Sequence, residues 1–131
     1  MQTRVVNPWS WQDRAGFVQA KQITAAEQTL YCAGQTSVDE EGQPLHEGDM
    51  EAQAMQALDN LQTVLHAAGF ALSDLVRLNA YVTDVAAYRR VAPAIAARLA
   101  EANARHTSTL LGISRLAMPE LLIEIEATAV K

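Results

Sequence analysis

The residues of this chain that could do chemistry are few and scattered. Glu124 falls on the polar phase of an alternating C-terminal run, Ile123-Glu124-Ile125-Glu126-Ala127, where a carboxylate can accept hydrogen bonds. Upstream, Thr107-Ser108-Thr109 sets three hydroxyls in a row, each able to donate to or accept from a small polar ligand. Read on residue type alone, Glu124 is a solvated or interface carboxylate and the hydroxyls are ordinary strand residues. Cys32 is the single cysteine, so no internal disulfide can form, and a lone thiol of this kind is most often a small buried hydrophobe. His46, His66 and His106 lack metal-ligand spacing, and only His106, beside the hydroxyl run, is a candidate for function. Trp9 and Trp11 either anchor an N-terminal arm to the core or wall a cleft.

These groups have to be positioned by one domain. A chain of 131 residues has that size and buries roughly two-thirds of its unfolded surface on folding. Hydrophobic residues make up 50% and aromatic ones only 5%, so the core must be aliphatic and alanine-rich. A net charge of -5 with ten scattered basic residues argues against a nucleic-acid partner, which needs clustered Lys and Arg. No apolar run has signal-peptide or membrane-span length, and a reduced lone cysteine suits a cytoplasmic location.

Periodicity supplies the elements. Ala54, Leu58, Leu61, Leu65 and Ala68 recur at helical spacing from Gly48-Asp49 to about Ala68, with Asp49 and Glu51 in the first turn and Gly69 as C-cap. A second helix spans roughly Ala87 to Ala104, with Pro93 near its start. Val76, Leu78, Ala80 and Val82 alternate with polar partners, as do Ile123, Ile125, Ala127 and Ala129. Phe17–Ile23, Leu30–Gln35 and Thr107–Leu116 read as further strands. The order β-β-α-β-α-β-β defines an α+β domain over residues 1–131, with 1–14 as a divergent arm. Two helices cover one sheet face. The other, carrying Tyr81, Asn79 and Leu122, is too apolar to stay wet, so subunits are expected to pack there.

Several stretches in register resemble the Rid/YjgF family of reactive-intermediate deaminases. They are Cys32-Ala33-Gly34-Gln35, Gln56-Ala57-Leu58-Asp59-Asn60-Leu61, Ala67-Ala68-Gly69, Leu75-Val76-Arg77 with Tyr81-Val82-Thr83-Asp84, and Arg115-Leu116 with Pro119 leading into Ile123-Glu124-Ile125-Glu126-Ala127. The resemblance runs from about Gly16 to the end. It implies a chorismate-mutase-like fold, a mixed sheet with two helices on one face, and a homotrimer with ligand clefts between subunits. It also implies hydrolysis of enamines and imines to carbonyl compounds and ammonia, with no metal or organic cofactor.

The resemblance assigns residues unevenly. Glu124 takes the position of a glutamate that activates water, a general-base task. Gly34 takes the turn position, and Phe17 replaces a tyrosine. Ser108, Thr109 and Leu110 stand where a carboxylate-binding arginine and its neighbours belong. Counting back from Arg115 puts that arginine's position on Ser108, across the cleft from Glu124. Arg105, three residues away, would lie about 10 Å off on the opposite strand face. Losing the charge-assisted partner weakens carboxylate binding by about 1.5–3 kcal/mol. Three readings are open: a deaminase with altered substrate preference, a trimer that binds a small metabolite without turnover, and an endoribonuclease. The first is preferred, and the chain's acidity counts against the last.

Overall fold

The computed structural model describes residues 1–131. The strands are β1 (Gln2–Val6), β2 (Ala20–Thr24), β3 (Thr29–Thr36), β4 (Leu75–Val82), β5 (Leu110–Gly112) and β6 (Ile123–Val130), and the helices are α1 (Met50–Ala67) and α2 (Val85–Glu101). The main sheet has the order β3-β6-β4-β5. β6 runs antiparallel to both neighbours, whereas β4 and β5 are parallel. A parallel pair needs a crossover, and α2 supplies it. Both helices lie on one face of this mixed sheet, the α+β arrangement anticipated from periodicity.

The alternating residues form the core. Leu58, Leu61 and Leu65 of α1 pack with Leu75, Leu78, Ala80 and Val82 of β4 and with Ile123, Ile125, Ala127 and Ala129 of β6. Leu61 has no exposed surface. Leu61→Ala is therefore expected to cost about 2–5 kcal/mol in urea unfolding, and a loss well under that range would contradict the packing described.

Both helices start on a side-chain cap. Asp49 accepts from the Ala52 N–H and Asp84 from the Ala87 N–H, each satisfying a donor the helix itself cannot. Gly69, past the end of α1, has φ +77°, a left-handed C-terminal position that favours glycine.

Three expectations change. Residues 1–14 are not a plain arm: Gln2–Val6 pairs antiparallel with Ala20–Thr24, which adds a strand at the start of the order. The short segment Gln2–Val6 shows no alternation, and Pro8 and the tryptophans interrupt the stretch after it. The strand expected over Thr107–Leu116 shrinks to Leu110–Gly112 plus a bridge from Thr107 to Arg77. The remainder, Ile113–Leu116, is irregular. Finally, α2 begins two residues before Ala87, at Val85. Pro93 thus sits inside the helix rather than near its start, and the Arg89 carbonyl four residues earlier lacks its usual donor.

Candidate functional site

Strand register decides which residues share a face. Tyr81 of β4 pairs with Glu124 of β6 and Leu111 of β5, and Asn79 pairs with Glu126. Side chains of paired residues lie on the same side of a sheet. Glu124, Glu126, Asn79, Tyr81, Thr109 and Leu111 therefore stand on the face away from the helices, together with Arg77. That face is left open in the single chain, with Tyr31 80% and Leu111 47% exposed. Leu122, half-buried just before β6, also touches the core, and its N–H donates to Gln53 Oε1.

Glu124 is held against Gly34. β3 carries a bulge between Cys32 and Gln35, so Ala33 and Gly34 together oppose Glu126. A β-carbon at Gly34 would overlap Glu124 Oε1 and stand 2.7 Å from its carboxyl carbon, so only glycine admits the carboxylate here. The helix fixes this bulge from behind. Gln56 Nε2 donates to Asn60 Oδ1 (3.0 Å), and Asn60 Nδ2 donates to the carbonyls of Thr36 and Val38, both at 2.9 Å. The Gln56…Asn60 spacing is thus a brace for the turn that receives Glu124. A second brace, the fully buried Gln53, bonds the Glu120 carbonyl and the Leu122 N–H just before β6. The Glu124 carboxylate has no hydrogen-bond or ion-pair partner of its own in the chain.

Its neighbour Glu126 is the opposite case. Tyr81 Oη donates to it, Asn79 Nδ2 donates to it at 3.3 Å, and Thr109 N–H donates to Asn79 Oδ1 at 3.1 Å. The Tyr81 hydroxyl and then the Asn79 amide hold the Glu126 carboxyl below its ordinary range. The same bond to Glu126 pushes the Tyr81 phenol up. Glu126 is thereby an ionised, oriented acceptor, and Glu124 is a free one. Sequence reasoning leaves Asn79, Tyr81 and Glu126 out of the site, although the alternation of β4 and β6 puts them in phase with Glu124.

The other expected site residues divide across the sheet. Gly34 and Thr109 join Glu124 on the open face. Ser108, Leu110 and Phe17 do not; they line a cavity between the sheet and α2, with Ile123 and Ile125. Ser108 is therefore not across from Glu124 within the chain. A strand alternates every residue, so Ser108 and Leu110 face the helices where Thr109 and Leu111 face away from them. Arg105 also changes sides: Ala104 and His106 are buried while Arg105 is exposed, which puts it in phase with Thr107 and Thr109.

The remaining candidates have structural explanations. Burial pushes the Cys32 thiol up, away from the thiolate a nucleophile needs. Trp9 and Trp11 stay more than half exposed, and Trp11 meets Phe17 edge-on at 5.8 Å and 73°. Lys21 Nζ donates to the carbonyls of Leu75 and Arg105, tying β2 to the ends of the main sheet; burial and then Arg105 push its pKa down.

His106 is 4% exposed and its Nδ1 lies 3.0 Å from the Ala104 carbonyl. A carbonyl only accepts, so Nδ1 carries the proton. Burial lowers its pKa, against the opposing Ala104 bond, and Lys21 lowers it further. The unfolded chain then binds a proton below about pH 6.5 that the folded chain refuses, so stability falls as pH drops through that value. Urea midpoints between neutral pH and about pH 5.5 should show this slope, flattened in His106→Asn. An unchanged slope in that variant would assign the dependence elsewhere.

The mixed sheet, two helices on one side and a bulge-held glutamate define a Rid/YjgF-type domain. Residues 11–131 match the family model described as endoribonuclease L-PSP, and the chain belongs to this Rid/YjgF family. It is similar to a RutC family protein of Pyrococcus horikoshii, 31% identical over 78% of this chain and 79% of that one. A 2-iminobutanoate/2-iminopropanoate deaminase of Escherichia coli K12 is 34% identical over 63% of this chain and 65% of its own. Among solved structures, a Rid family protein of unknown function from Yersinia pestis superposes over the full length of both chains, with TM-score 0.88 and 36% identity. The Escherichia coli YjgF product superposes over 79% of this chain and 80% of that one, with TM-score 0.71 and 31% identity.

Proposed function

We propose that this chain hydrolyses reactive enamine or imine intermediates to carbonyl products and ammonia, with a substrate preference altered by the missing arginine. The observation that carries the reading is the unpartnered Glu124 carboxylate, seated on Gly34 at an open sheet face. Such a group can take a proton from a water as its oxygen attacks the imine carbon, while the imine nitrogen gains a proton. The resulting carbinolamine loses ammonia and leaves the carbonyl. One water is consumed and nothing is oxidised or reduced, so the reading invokes no cofactor.

The open face, with Tyr31 and Leu111 exposed on it, is proposed to be where three copies meet, so that a cleft closes over Glu124 in a cytoplasmic homotrimer. Within that cleft the Tyr81–Glu126–Asn79 chain orients ligand through the polar edge it presents. Thr109, in phase with Asn79, offers a hydroxyl on the same face as Glu124. Arg77, whose charge already reaches Glu126, is the cation one row away. Neutral or less acidic imines are favoured by this arrangement over small 2-imino acids.

The test is ammonia release from a broad imine panel generated in place by an amino-acid oxidase. Acceleration in proportion to added protein supports turnover. No acceleration across the panel would leave a metabolite-binding trimer as the better reading.

A further inference from the structure

β1 and β2 form a two-stranded sheet of their own, and Lys21 joins it to the main sheet. Its Nζ donates to the Leu75 carbonyl at 3.0 Å and to the Arg105 carbonyl at 2.7 Å. These are the only side-chain hydrogen bonds from the strands of this small sheet to the rest of the chain, since Arg4 bonds Gln22 within it. Leu75 opens β4, whereas Tyr81, which pairs with Glu124, stands near its far end. About 20 Å of extended strand therefore separates Lys21 from the proposed reaction site. None of Lys21, Asp74, Leu75 and Arg105 lines the cavity under α2.

The Lys21 side chain has no acid to answer its charge. The single salt bridge of the chain joins Arg98 to Asp59, and the nearby Asp74 carboxylate instead accepts from the Ala71 N–H at 2.8 Å. The charge beside Lys21 is the exposed, unpaired Arg105. Burial and then Arg105 push the Lys21 pKa down, with Asp74 opposing, which raises the share of neutral amine at a given pH. An ammonium has three donors, and here two of them meet carbonyls. When the third proton leaves, both remaining N–H groups can stay on those carbonyls, and the lone pair is unspent. The fold thus holds a nucleophilic amine beside a guanidinium that is free to take an anion.

From this arrangement we propose that Lys21 is a modification site for acyl phosphates. Arg105 holds the phosphoryl group, Lys21 Nζ adds to the acyl carbon, and the bond from that carbon to the bridging oxygen breaks. Inorganic phosphate leaves with the bonding pair, the nitrogen gives its surplus proton to water, and an amide remains. The amide has one N–H, so it can hold only one of the two carbonyls, and the charge is gone. Acylation therefore loosens the β1–β2 sheet, and with it the intervening stretch that carries Trp9, Trp11 and Phe17.

The probe is acetyl phosphate, applied to the whole protein and followed by peptide mass spectrometry. The chain has only two lysines, so Lys131, whose Nζ donates to the Gly69 carbonyl and lies over the Phe70 ring, is the internal control. Lys21 is expected to be acetylated faster than Lys131, and added inorganic phosphate should slow Lys21 alone. In Arg105→Gln the rate at Lys21 with acetyl phosphate, relative to that with the neutral acetyl N-hydroxysuccinimide ester, should fall at least about tenfold, the worth of a lost charge-assisted contact. Amide exchange across Ala20–Thr24 should quicken in the acetylated protein. Acetylation of Lys21 no faster than of Lys131, or an unchanged reagent ratio in a folded Arg105→Gln, would overturn the assignment. Should that variant fail to fold, a Lys21 rate indifferent to inorganic phosphate would overturn it equally. Exchange unmoved by acetylation would overturn the loosening.

Discussion

Glu124→Gln is expected to reduce turnover of any accelerated imine by about 10²- to 10⁴-fold, the usual share of a general base, while leaving unfolding unchanged. The two halves of that expectation come from one observation. The Glu124 carboxylate has no partner in the chain, so an isosteric amide removes the proton acceptor without breaking an intramolecular bond. The amide also keeps the fit over Gly34, where the carboxyl carbon would stand only 2.7 Å from an added β-carbon. A rate loss with an unchanged urea midpoint would place Glu124 in the reaction. Near wild-type turnover in a folded Glu124→Gln would remove it from the chemistry, whatever the oligomeric state.

The second large effect is a gain. Thr109→Arg should raise kcat/KM on small 2-imino acids by roughly 10- to 150-fold, the worth of one charge-assisted pair to a carboxylate. Thr109 stands in phase with Asn79 and Glu124, and its N–H already bonds the Asn79 amide. Ser108→Arg is the informative contrast. That side chain enters the cavity under α2 beside Arg14 and Arg89, where a third guanidinium has no acid to meet. It is expected to lower stability and leave 2-imino acid turnover unchanged. Measuring both variants against the same panel separates the two faces. A gain in Ser108→Arg and none in Thr109→Arg would reverse the face assignment.

The one-residue difference between those variants shows where sequence reasoning stops. α1, β4 and β6 are legible because each carries its period without interruption and each buries one face. Glu124 is legible because it lies within such a run, and Gly34 because the stretch around it is in register with a known family. The face that Ser108 takes is not legible, because only Leu110–Gly112 and Thr107 of the expected strand are paired. What sets its face is the pairing of Tyr81 with Leu111, a non-local contact with no trace in local composition. β1 escapes for a related reason: its partner β2 lies beyond Pro8 and the two tryptophans. The cavity under α2 is read only in part, through Phe17, Ser108 and Leu110. The alanines and Pro93 that line it from α2 read as ordinary helix positions.

The most direct test of Glu124 as the reacting carboxylate is a crystal structure of the protein grown with a 2-oxo acid, the product class of the proposed reaction. Ordered density is expected on the open sheet face, between Glu124 and a neighbouring subunit, within about 2.6–3.2 Å of the carboxylate. A ligand ordered elsewhere, with Glu124 sealed in a subunit contact and out of its reach, would contradict that role.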